Sequence, residues 1–129
     1  MFKSNLDGII TMGSWAPTMK GVTGSNKFYT AYKKKFKGHE PDYLDTVEVY
    51  CSAQILEQAI AKVGLNREKI RNAINTMTFK TIIGDVKFNG VQNASTPTGF
   101  TQVQKGKIEV VWPKSRATAP VADKGPWAN

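Results

Sequence analysis

Apolar residues recur at every fourth position through the middle of the chain. Val47, Cys51, Ile55, Ala59 and Val63 form one line, with Tyr50, Ala53, Leu56 and Ile60 beside it. This spacing predicts one amphipathic helix of about six turns between Pro41 and Val63, with a broad face turned to a core. Its ends are marked. Pro41 disfavours helix at Glu40, Asp42 is placed to accept the free N–H groups of the first turn, and Asp45 and Glu48 set negative charge at the positive end of the dipole. Gly64 is the expected stop, with Leu65 supplying an apolar contact after it.

Two shorter helices flank the long one. Phe28, Tyr32 and Phe36 repeat at helical spacing between Asn26 and Lys37, with Ser25 or Asn26 as the expected N-cap and Gly38 as the stop. Ile70, Ala73, Ile74 and Met77 define a second face after Asn66, which is placed to cap it, and this helix ends near Thr76. The connection from Gly64 to Asn66 is short, so the long helix and the one after it should pack as neighbours.

Strand chemistry appears at both ends. Asp7 to Met12 reads as a buried first strand. Thr78 to Asn89 is rich in β-branched and aromatic residues, with Val86 and Phe88 alternating against Asp85 and Lys87 after a break at Gly84. Gly90 to Pro97 is a polar loop. Gly99–Gln104 and Lys107–Trp112 alternate around Lys105-Gly106, which predicts a hairpin with a two-residue turn. Beyond Pro113 the tail has no period and is expected to be extended and poorly packed. Docking of Trp127 onto the surface is the less favoured reading.

Composition narrows the function more by exclusion than by signature. The 129 residues suffice for one domain with a core, and no apolar run approaches the roughly 20 residues of a membrane span. The apolar run from Gly8 to Met12 lacks a cleavage pattern after it, so no signal peptide is expected in this chain. Net charge is +8, with 7 lysines against 2 acids in residues 1–40 and near neutrality in the central helices. The run Lys33-Lys34-Lys35-Phe36-Lys37 reads as a solvated helix end, where cations complement the dipole. A basic module binding nucleic acid through this run is the alternative. Cys51 falls on the apolar stripe, where a free cysteine packs as a small hydrophobe. No base is placed to activate it, since His39 is the only histidine.

No other motif carries chemistry. Gly21 to Lys27 lacks the glycine spacing and the Gly-Lys of a phosphate-binding loop. One histidine, one cysteine and scattered carboxylates give no metal-ligand spacing, and no cofactor is implied. Asn93-Ala94-Ser95 fits the short N-glycosylation pattern and no more than that. Trp15 and Met19 are large apolar groups in a loop of glycines and small polar residues. Trp15 is open to two readings, lining a ligand cleft or covering the edge of the core.

The order of these elements resembles the C-terminal third of periplasmic binding proteins of ABC transporters, of the branched-chain amino-acid-binding type. The resemblance is carried by Phe28, Tyr32 and Phe36 ahead of Glu40-Pro41, Tyr50 with Ala53 and Ala59-Ile60, Thr78-Phe79 to Gly84 with Val86-Lys87-Phe88, and Gln102-Val103-Gln104 to Trp112-Pro113. It implies an α/β fragment of a two-lobed type I periplasmic binding fold, with a long central helix, two further helices, a short N-terminal strand and a C-terminal hairpin. Residues 1–113 would form the C-terminal portion, with 1–38 in the second lobe, 39–42 an inter-lobe crossing, 43–97 in the first lobe, 98–113 a returning hairpin and 114–129 an extended tail.

The function it implies is solute binding, not catalysis, for an ABC-type importer of an amino acid or related organic acid. The cleft would be incomplete in this fragment. By position the resemblance points to Trp15, Tyr43 and Asp45 as ligand-facing, and Asp45 departs from the apolar group expected for an aliphatic amino acid. A polar or aromatic-acid ligand is therefore open. The implied partners are the small-molecule ligand, an ABC transporter permease and a second copy of the chain through orphaned apolar faces. The parent would be periplasmic, or extracellular and lipid-anchored.

Overall fold

The computed structural model describes residues 6–13 and 15–127. In chain order it contains β1 (Ile10–Met12), α1 (Ser25–Lys35), α2 (Asp45–Val63), α3 (Arg67–Thr76), β2 (Thr78–Thr81), β3 (Gly84–Asn89), β4 (Gln92–Asn93), β5 (Phe100–Gln104) and β6 (Lys107–Trp112). Two three-stranded antiparallel sheets result, ordered β1-β5-β6 and β2-β3-β4. This is the mixed α/β arrangement expected.

α2 and α3 pack on each other and cover the second sheet, α2 against β2 and α3 against β3. Of the predicted stripe, Val47, Cys51 and Ala59 are buried, while Ile55 and Val63 lie partly buried against them. The flank is a different matter: Tyr50 and Leu56 are exposed. Gly64 ends α2 at φ 75°, where its N–H reaches Ile60 O at 2.7 Å, but Leu65 stays in solvent and makes none of the expected contact. Asn66 caps α3 through its side-chain oxygen, which accepts from Lys69 N at 3.0 Å.

Several expectations are corrected. α2 begins at Asp45, not beside Pro41, because the Asp42 carboxylate draws the N–H groups of Leu44 and Asp45 (2.8 and 2.7 Å) into a turn ahead of the helix. Asp42 thus serves the role expected of it from outside the helix. Ser25 is not the N-cap of α1. Gly24 holds that position at φ 94°, and the buried Ser25 hydroxyl instead donates to Ile82 O at 2.9 Å. Phe36 does not point inward; it lies half-exposed at the end of α1, its ring 4.4 Å from that of Tyr32. β1 is exposed, not buried, because among the described residues it pairs only with β5 and forms the sheet edge, so Ile10 and Met12 stay in solvent. The polar loop after Gly90 contains β4, paired with β3.

The segment Thr78–Asn89 folds as a hairpin whose two-residue tip is Ile82-Ile83, both buried. A hydrophobic tip can bury only if its backbone polar groups find partners. Ile82 N donates to Gln54 Oε1 of α2 (3.0 Å), and Ile82 O accepts from Ser25 of α1. Ile83 O accepts from Arg116 Nη2 of the tail (2.7 Å), and Thr81 Oγ1 closes the turn by donating to Gly84 O at 2.7 Å. Gln58 similarly covers the open edge of β2, exchanging two bonds with Lys80 N and O. The hairpin tip is therefore the point at which α1, α2 and the tail meet.

The second hairpin is as predicted, with Lys105 and Gly106 both at positive φ (51° and 74°) in the turn. A register shift at Phe100/Thr101 bulges β5. The tail is extended, but it is held more firmly than expected. Gln102, 1% exposed, donates through Nε2 to Gly8 O and Ala122 O, and its oxygen accepts from Ala122 N. Trp127 remains exposed with Lys124 Nζ 4.2 Å from its ring centre.

Candidate functional site

The polar side chains that converge most closely come from α1 and the crossing that follows it. Tyr29 and Lys33, one turn apart on α1, present a hydroxyl and an ammonium on the same face. Lys37 and Gly38 turn the chain back at positive φ and bring Glu40 under that face. Glu40 accepts from the Tyr29 hydroxyl, accepts from the Tyr43 hydroxyl at 3.2 Å, and stands 3.7 Å from Lys33 Nζ. The Tyr29 hydroxyl, then Tyr43 and Lys33, hold the Glu40 carboxyl below the usual carboxylate range. Burial, followed by the negative charge of Glu40, pushes the Tyr43 phenol well above its ordinary value. Tyr43 is therefore a neutral donor at any ordinary pH.

Trp15 lies on the other side of Tyr43. It is fully buried, with its ring edge-on to Tyr43 at 5.1 Å and to Phe28 at 5.8 Å. Its indole N–H has no hydrogen-bond partner among the described residues. Arg116 Nη1 is the other buried side-chain nitrogen without a partner among the described residues.

Two cavities flank this crossing. One, of about 190 Å³, is lined by Thr11, Trp15, Asp42, Tyr43 and Thr101 among others. The other, of about 530 Å³, is lined by Tyr29, Glu40, Asp42, Tyr43, Lys107 and Glu109 among others, between α1, the crossing and the β5-β6 turn. Tyr43 and Asp42 border both. Of the three residues picked out by position, the fold brings Trp15 and Tyr43 together. Asp45 is apart from them, exposed in the first turn of α2 and outside the lining of either cavity.

Sequence reasoning missed Tyr29, Glu40 and Glu109. The four-residue step from Tyr29 to Lys33 and the charge just before Pro41 were the available signals for the first two. For Glu109 the alternation of β6 gave only a polar position. The basic run at the end of α1 is partly committed, because Lys33 is engaged by Tyr29 and Glu40, and hydrogen bonding to Tyr29 raises its ammonium pKa. Cys51 is buried, and burial pushes its thiol pKa up, away from a nucleophile's range. Among the described residues no group of three or more His, Cys, Asp or Glu is arranged to hold a metal, and no helix is long and apolar enough to cross a membrane.

Among solved structures the chain is similar to a leucine-binding protein, LivK, of Thermotoga maritima, with a TM-score of 0.64 and 24% identity. That alignment covers 81% of this chain and 30% of the leucine-binding protein, so the chain spans about a third of the length of this relative. At that identity the likeness speaks for the fold, a part of the type I periplasmic binding architecture. Residues 2–107 match the family model described as periplasmic binding protein. The chain therefore belongs to the periplasmic binding protein family, whose members bind solutes and do not transform them.

Proposed function

We propose that this chain supplies part of the solute-binding cleft of the binding component of an ABC-type importer, for an amino acid or a related organic acid. The observation that carries the reading is the buried, unpartnered indole N–H of Trp15 beside Tyr43 on the border of a cavity. A solute carboxylate is the acceptor such a donor suits. Glu40, Asp42 and Glu109 around the larger cavity suit an ammonium group, with Lys107 available to a carboxylate.

In this reading residues 1–38 belong to the second lobe, 39–42 cross between lobes, 43–97 belong to the first and 98–113 return to the second, with 114–129 as the extended tail. Antiparallel pairing of β1 with β5 supports the return. The longer protein is periplasmic or lipid-anchored outside the cell and passes its solute to a permease.

Calorimetric titration of the chain with a panel of amino acids and aromatic acids tests the cleft. One solute should bind, and Trp15→Phe, which keeps an aromatic ring but removes the donor, should weaken it by about tenfold, the worth of one buried hydrogen bond. Absence of binding across the panel, or affinity unchanged in the variant, would remove Trp15 from the cleft.

Self-association accompanies this reading. Met12, Phe100 and Trp112 lie opposite one another across β1, β5 and β6, all exposed, and β1 has an edge with no partner strand among the described residues, which a second copy can join. Light scattering at micromolar concentration should give a mass above 14.2 kDa. A single species at the chain mass would overturn it.

A further inference from the structure

Among the described residues no strand of β1-β5-β6 pairs with a strand of β2-β3-β4. What joins the two sheets is mostly apolar. Val110 of β6 belongs to the same buried cluster as Phe79, Ile82, Ile83 and Val86 of the β2-β3 hairpin. Apolar contact is non-directional, so it holds two surfaces together without fixing the angle between them. Among the described residues one hydrogen bond crosses from the first sheet and its tail to the second, from Arg116 Nη2 to Ile83 O at 2.7 Å, and neither ion pair does so.

Both ends of that bond are firmly placed. Arg116 sits on a loop whose two ends are fixed to β6. The chain leaves β6 at Trp112, turns where Arg116 N donates to Pro113 O (2.9 Å), and returns where Thr118 N donates to Val110 O (2.8 Å) and Val110 N donates to Thr118 Oγ1 (2.9 Å). The guanidinium therefore moves with the first sheet. On the other side, Ile83 lies at the tip of the β2-β3 hairpin, which Gln54 of α2 holds through Ile82 N. Gly84 follows it, and a Cβ there would overlap Arg116 Nη2 and approach Pro97 Cγ at 3.2 Å. The missing side chain is what makes room for the guanidinium.

We propose that Arg116 is a clasp that sets the orientation of the two sheets, a positioning residue whose bond to Ile83 O fixes an angle that apolar packing leaves free. A hydrogen bond is directional, and a charged donor strengthens that preference. The clasp is also releasable. Nη1 is buried without a partner among the described residues, and burial, opposed by the charge of Asp85, lowers the guanidinium pKa. Both effects weigh against the fastened arrangement relative to one in which the arm reaches water. If residues 43–97 and 98–113 fall in different lobes, the clasp spans them, but the angle it sets is a property of this chain and needs no solute.

Residual dipolar couplings of backbone amides, measured in the weakly aligned 129-residue chain, read this orientation directly. Both sheets of the wild type should fit a common alignment tensor. In Arg116→Met, which keeps an apolar stem and removes the donors, each sheet should still fit a tensor of its own, but the two should no longer coincide. Arg116→Lys, which retains a donor on a long stem, should restore the common tensor. Gly84→Ala closes the same space from the other side and should behave as Arg116→Met, with the double variant no worse than either alone, because both remove one interaction. Lys114→Met, exposed on the same loop, should leave the couplings as in wild type.

A common tensor retained in Arg116→Met would overturn the inference, since the shared core would then fix the angle by itself. So would a wild-type chain whose sheets need separate tensors. Couplings that no longer fit within the second sheet of Arg116→Met would overturn it too, because Arg116 would then support the hairpin and not the angle. If Gly84→Ala does not fold, the comparison of Arg116→Met with Arg116→Lys decides alone. No solute enters these samples, so the outcome is separate from whether Trp15 belongs to a cleft.

Discussion

Gln102→Met gives the sharpest test of how the tail is held. The native side chain is 1% exposed, and every polar atom of its amide is used. Nε2 donates to Gly8 O at 2.9 Å and to Ala122 O at 2.7 Å, while Oε1 accepts from Ala122 N at 2.9 Å and from Gln104 Nε2 at 2.7 Å. Methionine fills similar volume but meets none of these. Four bonds at a net of roughly 0.5–1.5 kcal/mol each bound the loss at about 2–6 kcal/mol. Ala122 is on the exposed tail and regains water once the tail lifts, as does Gln104, so their share is largely recovered. Gly8 O, beside the buried amide, recovers less. The expected cost is therefore about 2–3 kcal/mol, read as a lower urea midpoint, together with release of residues 114–127 to limited proteolysis and faster amide exchange there. Gln104 also donates to Pro120 O and Thr118 bonds to Val110, so the tail's first half should stay docked longer than its second. A loss under about 0.5 kcal/mol with no change in tail cleavage would refute the idea that this amide clamps the tail.

Two further outcomes follow from the same reasoning. Glu40→Gln should destabilise the chain at pH 7 by at most about 1 kcal/mol, the network being half-exposed and screened. The native carboxyl has a lowered pKa, so the stability it contributes is fully present above its unfolded value near 4.5 and is lost as pH falls through the lower folded value. The gap between wild type and variant should close on acidification from pH 5 downward, and a gap that widens in thermal melts would contradict this sign. Gly84→Ala should cost more, about 1–3 kcal/mol, because Gly84 sits at φ 114° and an added Cβ would overlap the Arg116 guanidinium. If melting shows the variant to be as stable as wild type, Arg116 is not packed against that hairpin.

The sequence by itself determined the elements whose causes are local. The four-residue period of Val47, Cys51 and Ala59, the glycine at 64, the Asn66 cap and the Lys105-Gly106 turn each act within a few residues, and each appears as read. The family was legible for a related reason, since the order of such elements along the chain persists where individual residues do not. What only the tertiary structure decided are pairings between distant segments. Ser25, Gln54 and Arg116 read as a cap, a helix-surface polar residue and a tail charge, yet together they serve the backbone of a buried turn at Ile82-Ile83. No local pattern signals this, because the need for each polar group arises from a peptide unit 28 to 57 residues away. The candidate site divides the same way. The residues chosen by position were Trp15, Tyr43 and Asp45, but burial and ring geometry joined only the first two and added Tyr29 and Glu40. Whether an apolar face is covered depends on which segment reaches it, and so Phe36 and Tyr50, indistinguishable in pattern from core residues, stand in solvent.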